Sequence, residues 1–118
     1  MDDTLKNDAL NVAKMLDERG AQDTVALEMG EDCSWAQYLV ICTVSSQTQM
    51  RGMATAARKE MEEVGHDVRS GSKRVVDGAW RIIDAGSIVV SIMDSECRAF
   101  YNLEERWYGS TEIFRSEA

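Results

Sequence analysis

The chain has 118 residues, 44% of them hydrophobic, and a formal net charge of −8. That length supports one domain burying roughly two thirds of its unfolded surface, with a single core. The acidic balance excludes a general phosphate footprint for nucleic acid and suits a basic protein surface, with solubility alone as the plainer account. The charge is uneven: residues 1–32 hold nine acids and three bases, and residues 51–81 hold seven bases and five acids.

Thr4 to Arg19 places Leu5, Ala9, Val12, Ala13 and Leu16 at helical spacing, with Gly20 at a C′ position. Thr24–Met29 reads as a strand closed by Gly30. Tyr38–Thr43 is a near-continuous apolar run and the strongest strand signal. Ser45 to Thr48 offers N-cap chemistry for a helix whose apolar stripe is Met50, Met53, Ala54, Ala57, Met61 and Val64, stopped by Gly65. The methionines of that stripe are core filler. Asp67–Ser72 reads as a weak strand and Lys73–Gly78 as a turn. Ala79–Asp84 and Ser87–Met93 form a hairpin around Ala85–Gly86. Asp94 or Ser95 caps a last helix reaching about Tyr108, with Phe100, Leu103 and Trp107 as its buried face. Residues 109–118 read as a polar tail outside a single domain of residues 1–108. This order predicts an α/β (α+β-like) domain, a mixed sheet of about five strands with flanking helices.

The hairpin register carries the main functional expectation. With Ala85–Gly86 as the turn, Trp80 faces Ser91 and Ile82 faces Val89. One face then holds Ile83, Ile88, Val90 and Ile92, with Arg81 near its end, and packs on helices. The other holds Trp80, Ile82, Asp84, Ser87, Val89, Ser91 and Met93. Helices cover this second face as well, or it is an open docking surface centred on a Trp, the composition of an interface hot spot. Arg98 and Tyr101, three residues apart, either fix the last helix to the sheet or reach a partner. Asp84 reads as a turn aspartate. Arg69, Lys73 and Arg74 form the basic cluster, a solvated edge or a minor contact to RNA.

Little else points to chemistry. The three cysteines, Cys33, Cys42 and Cys97, are widely spaced, and His66 is the only histidine. That pattern speaks against a disulfide framework and a structural zinc site. Gly-x-Gly-x-x-Gly, Walker-type and Gly-x-Ser-x-Gly motifs are absent from the sequence. No cofactor or metal is expected. No apolar run approaches the roughly 20 residues of a membrane span. The N-terminus lacks the basic and apolar regions of a signal peptide, so the expectation is a cytoplasmic bacterial protein with no membrane contact.

The C-terminal block resembles a known family. A strand with Trp80-x-x-x-Asp84, a turn with Gly86, a Val-rich strand, and Arg98-x-Phe100-Tyr101-x-Leu103-Glu104-x-x-Trp107 follow one another as they do in the ribosome silencing factor, or Iojap-like, family. Asp23-Thr-Val-Ala-Leu27 and Ser34-Trp-Ala-Gln37-Tyr38-Leu-Val-Ile-Cys-Thr43 are similar to its first two strands. The resemblance covers residues 8–108. It departs from the family pattern at Gln37 (Asp), Val44 (Gly), Ser70 (Glu) and Ser91 (His).

The resemblance implies a fold related to nucleotidyltransferases without their catalytic carboxylates. It implies binding to the large ribosomal subunit at the ribosomal protein numbered fourteen, blocking small-subunit joining and repressing translation when nutrients are short. Trp80, Ile82, Asp84, Val89, Ser91, Tyr38, Gln37, Arg98 and Tyr101 are the expected partner-binding residues. The competing expectations are a nucleotidyltransferase-like enzyme, and a homodimeric interaction module with another partner.

Overall fold

The computed structural model describes residues 4–30, 33, 36–68, 72–76, 79–101 and 110–116. The described elements run α1 (Thr4–Glu18), β1 (Gln22–Glu28), β2 (Tyr38–Val44), α2 (Gln47–Glu63), β3 (Ser72–Val76), β4 (Trp80–Asp84), β5 (Ile88–Asp94), α3 (Ser95–Tyr101) and β6 (Thr111–Arg115). Among the described residues the strands form one six-stranded sheet in the order β3-β4-β5-β2-β1-β6. β2 and β5 pair in parallel at its centre, and the other neighbours are antiparallel. A central parallel pair has both faces covered, so its strands are apolar throughout. All seven residues of β2 are buried, and β5 is buried up to Met93.

α1 and α2 lie on one face. Ala9, Val12, Ala13 and Leu16 of α1 meet Met50, Met53, Ala54, Ala57 and Met61 of α2 over Val40, Cys42, Ile83, Ile88, Val90 and Ile92. These are the helical stripes and the hairpin face expected from the sequence, except that Val64, the C-cap of α2, is exposed and leaves the stripe. Both helices end in a Schellman motif. Gly20 takes φ 101° while Gly20 and Ala21 N–H donate to the Asp17 and Leu16 carbonyls. Gly65 takes φ 94° while Gly65 and His66 N–H donate to Glu62 and Met61. Only glycine enters that left-handed conformation without strain, which is why both expected stops hold. Ser46 caps α2, its hydroxyl accepting from Gln49 N–H at 3.0 Å.

Three expectations are corrected. Residues 111–115 are an edge strand paired with β1, with Ile113 and Phe114 packed against the core. Polar flanks conceal a short Ile-Phe strand in the sequence, and charged residues are what an edge tolerates. The third strand is Ser72–Val76 and not Asp67–Ser72: Lys73 pairs with Ile82 and Arg74 with Arg81. Lys and Arg on an edge strand hide it among turn residues. Arg69 and Ser70 lie outside the described residues.

The hairpin register is the third. Ile82 is opposite Ser91, Asp84 opposite Val89 and Trp80 opposite Met93. Ala85 N–H donates to the Ile88 carbonyl at 3.0 Å, so the chain reverses over Gly86–Ser87, with Gly86 at φ 81°. The register is two residues away from the expected one. Because side chains alternate with period two, the two faces keep their expected membership while every partner changes.

Candidate functional site

α3 starts where Asp94 Oδ1 accepts from Cys97 N–H at 2.8 Å, so Asp94 is its N-cap. That start sets the phase of the helix. Cys97 and Tyr101, four residues apart, turn towards the sheet, while Glu96 and Phe100 turn outward. Phe100 is 80% exposed, which corrects its assignment to the buried stripe. Leu103 and Trp107, the rest of that stripe, lie outside the described residues.

The inward side of α3 covers the second sheet face. Trp80 is 8% exposed and Ser91 1%. The Trp80 indole Nε1–H donates to Ser91 Oγ at 2.6 Å, diagonally across β4 and β5. Tyr101 leans on the indole with ring centroids 4.7 Å apart, and Phe100 meets Tyr101 edge-on at 5.0 Å. Arg98 Nη1 donates to Thr43 Oγ1 at 2.9 Å, tying α3 to β2. Trp80, Val89, Met93, Leu39, Ile41 and Cys97 share one buried cluster. The face is therefore closed at Trp80, and the open docking surface is corrected to a packed one. A sheet built of Leu, Ile, Val and Met on this side needs a cover, and one amphipathic turn of α3 supplies it here.

The nine expected site residues fall at two ends of the sheet. Trp80, Arg98 and Tyr101 meet where β5 ends. Gln37, Tyr38 and Asp84 lie at the opposite end, where β2 begins and β4 finishes. Trp80 and Asp84, at the two ends of five-residue β4, are about 13 Å apart, and seven-residue β2 and β5 span about 20 Å. Val89 is opposite Asp84 at this second end, and Ile82 and Ser91, which face each other, lie between the ends. Gln37 is exposed, and Ile82, Asp84, Arg98 and Tyr101 are half-buried. Trp80, Val89, Ser91 and Tyr38 are buried.

At the second end, Gln37 and Tyr38 N–H both donate to the Ser87 carbonyl, at 2.8 and 3.0 Å, anchoring the hairpin turn to β2. Asp84 Oδ1 accepts from Gly86 N–H at 2.8 Å, so Asp84 does serve the turn. Beside it lies a hollow of about 390 Å³ bordered by Glu28, Cys33, Gln37 and Tyr38, with Tyr38 OH donating to Glu28 Oε2 at 3.1 Å.

Among the described residues, no group of three or more His, Cys, Asp or Glu side chains is placed to hold a metal ion. His66 Nε2 lies 2.8 Å from Asp8 Oδ2, pinning the end of α2 to α1. Burial pushes the Cys42 thiol up to about 12, against a lesser lowering by Arg98. Cys97 is also raised, by burial and then by Asp94. Both sulfurs are thereby poor nucleophiles near neutral pH. No helix among the described residues is long and apolar enough to cross a membrane.

Comparison with known proteins agrees with this architecture. A family model described as "Ribosomal silencing factor during starvation" matches residues 2–117. The ribosomal silencing factor of Treponema pallidum is 33% identical over 99 residues, spanning 81% of this chain and 86% of that protein. The chloroplastic Iojap protein of Zea mays is 31% identical over 105 residues, spanning 89% of this chain and 45% of its own length. A crystal structure from Chromobacterium violaceum superposes with TM-score 0.78 at 26% identity, covering 96% of this chain and 93% of that one. One from Bacillus halodurans gives 0.72 at 28% identity, covering 95% and 100%. With its six-stranded sheet, its α3 cover and a family match from residue 2 to residue 117, the chain belongs to the ribosomal silencing factor family.

Proposed function

We propose that this protein binds the large ribosomal subunit through the ribosomal protein numbered fourteen and blocks joining of the small subunit. Translation falls by steric occlusion when nutrients are short, in the cytoplasm, and no reaction is catalysed. The observation that carries this reading is the family match over residues 2–117. The net charge of −8 supports it, because an acidic protein is drawn to a basic ribosomal protein surface. The same reading takes the fold as related to nucleotidyltransferases without their catalytic carboxylates.

Within it, the expected residues divide by burial. Gln37, Ile82, Asp84, Arg98 and Tyr101 reach the surface and are the direct contacts. Trp80, Val89, Ser91 and Tyr38 hold the sheet and α3 beneath them. Lys73 and Arg74, on edge strand β3, add a minor contact to ribosomal RNA.

The test is co-sedimentation with isolated large subunits, followed by addition of small subunits. Binding that reduces the yield of joined ribosomes is the expected result. Folded protein that stays in the supernatant overturns the reading. A stable homodimer that binds no subunit would favour the interaction module instead.

A further inference from the structure

Phe100 is a large apolar side chain that the fold holds in water, 80% exposed. Single exposed apolar residues are ordinary on protein surfaces. Phe100 differs in how it is supported. Its ring meets Tyr101 at a 73° interplanar angle, Tyr101 leans on Trp80, and Trp80 is hydrogen-bonded to Ser91 of central strand β5. This chain of contacts braces the exposed ring against the core. A braced aromatic loses little conformational entropy when a partner covers it, which is the property of an interface anchor.

The surroundings indicate the partner's chemistry. Glu96 lies one helical turn before Phe100 on the same exposed side of α3, with Ala99 exposed between them. Within α3 and its cap the acids are Asp94 and Glu96, and the base, Arg98, is turned to Thr43 Oγ1 at 2.9 Å. A carboxylate beside the ring disfavours a nucleic-acid strand, whose base would stack only where cations track the phosphates. It favours a protein whose apolar socket is rimmed by Lys or Arg.

We infer that Phe100 is an anchor that inserts into an apolar socket on a basic protein surface of the large ribosomal subunit, with Glu96 facing a cation at the socket's rim. This rests on the ribosome-silencing reading and adds Phe100 and Glu96 to its contacts.

The test is co-sedimentation of wild type, Phe100→Ala and Glu96→Lys with isolated large subunits at two salt concentrations. Thermal melting and light-scattering mass are measured for each protein. Phe100→Ala should melt like wild type, because the ring is exposed, and bind on the order of 30-fold more weakly. Glu96→Lys should also bind more weakly and show less dependence on salt. Wild type that binds while Phe100→Ala binds equally well overturns the inference and leaves the function standing. Tighter binding by Glu96→Lys overturns the protein socket in favour of phosphate. A loss of dimer mass in Phe100→Ala with unchanged subunit binding assigns the ring to a second copy and likewise overturns it. Wild type that does not sediment overturns the ribosome reading and this inference together.

Discussion

Ser91→Ala tests the closed face directly. The substitution removes the acceptor that lies 2.6 Å from the Trp80 indole nitrogen. Both residues are almost wholly buried, at 8% and 1% exposure, so water does not readily replace the hydroxyl. A buried donor left without a partner costs about 1–3 kcal/mol. For a domain of this length the middle of that range lowers the melting temperature by about 5–10 °C. Trp80→Phe removes the donor instead, together with ring area packed on Tyr101. Combining the two leaves no unpaired polar group, so the double variant should be more stable than the sum of the single losses by about 1 kcal/mol or more. Urea denaturation of the four proteins, followed by far-ultraviolet circular dichroism, measures the cycle. A Ser91→Ala stability within about 0.5 kcal/mol of wild type, with additive losses in the cycle, would refute the buried indole–hydroxyl bond and the closed face with it.

Three further outcomes follow from the structure. Gly86→Ala should cost about 1–2 kcal/mol in thermal or urea unfolding, because φ 81° strains an L-residue although nothing within 4 Å crowds a Cβ there; an unchanged midpoint would reject the left-handed turn. Cys42 should resist iodoacetamide at pH 8 while half-buried Cys33 is labelled, read by mass spectrometry. Its thiol keeps its proton in the folded chain up to about 12 and loses it near 9.0 when unfolded. Stability should therefore fall as pH rises between those values, and Cys42→Ala should flatten the fall; an equal slope in the variant would contradict it.

Much of the architecture could be read from residue order. The stripes of α1 and α2, their glycine stops, the apolar run of β2 and the two faces of the β4–β5 hairpin are local patterns. Each depends on periodicity or on one backbone conformation, so each survives without knowledge of the neighbours. The hairpin turn lies one residue beyond the expected place, because Ala85–Gly86 and Gly86–Ser87 both offer a glycine. The resulting two-residue slip in pairing kept the faces correct. β3 and β6 were harder. Edge strands carry charge and polar flanks to resist aggregation, and those residues resemble loops in sequence.

The functional surface divides in the same way. Residue order alone determined the family, through Trp80-x-x-x-Asp84 and the Arg98-x-Phe100-Tyr101 helix, and it placed Trp80 and Ser91 on one side of one sheet. Only the tertiary structure decided that this side is closed. Covering depends on where α3 lands, and that depends on Asp94 capping it, Arg98 reaching Thr43 and Tyr101 meeting the indole. Those contacts join residues as far as 55 positions apart in the chain, and no local pattern encodes them. They also decide that Tyr101 turns inward and Phe100 outward, because a helix seated by one side must present the other to solvent.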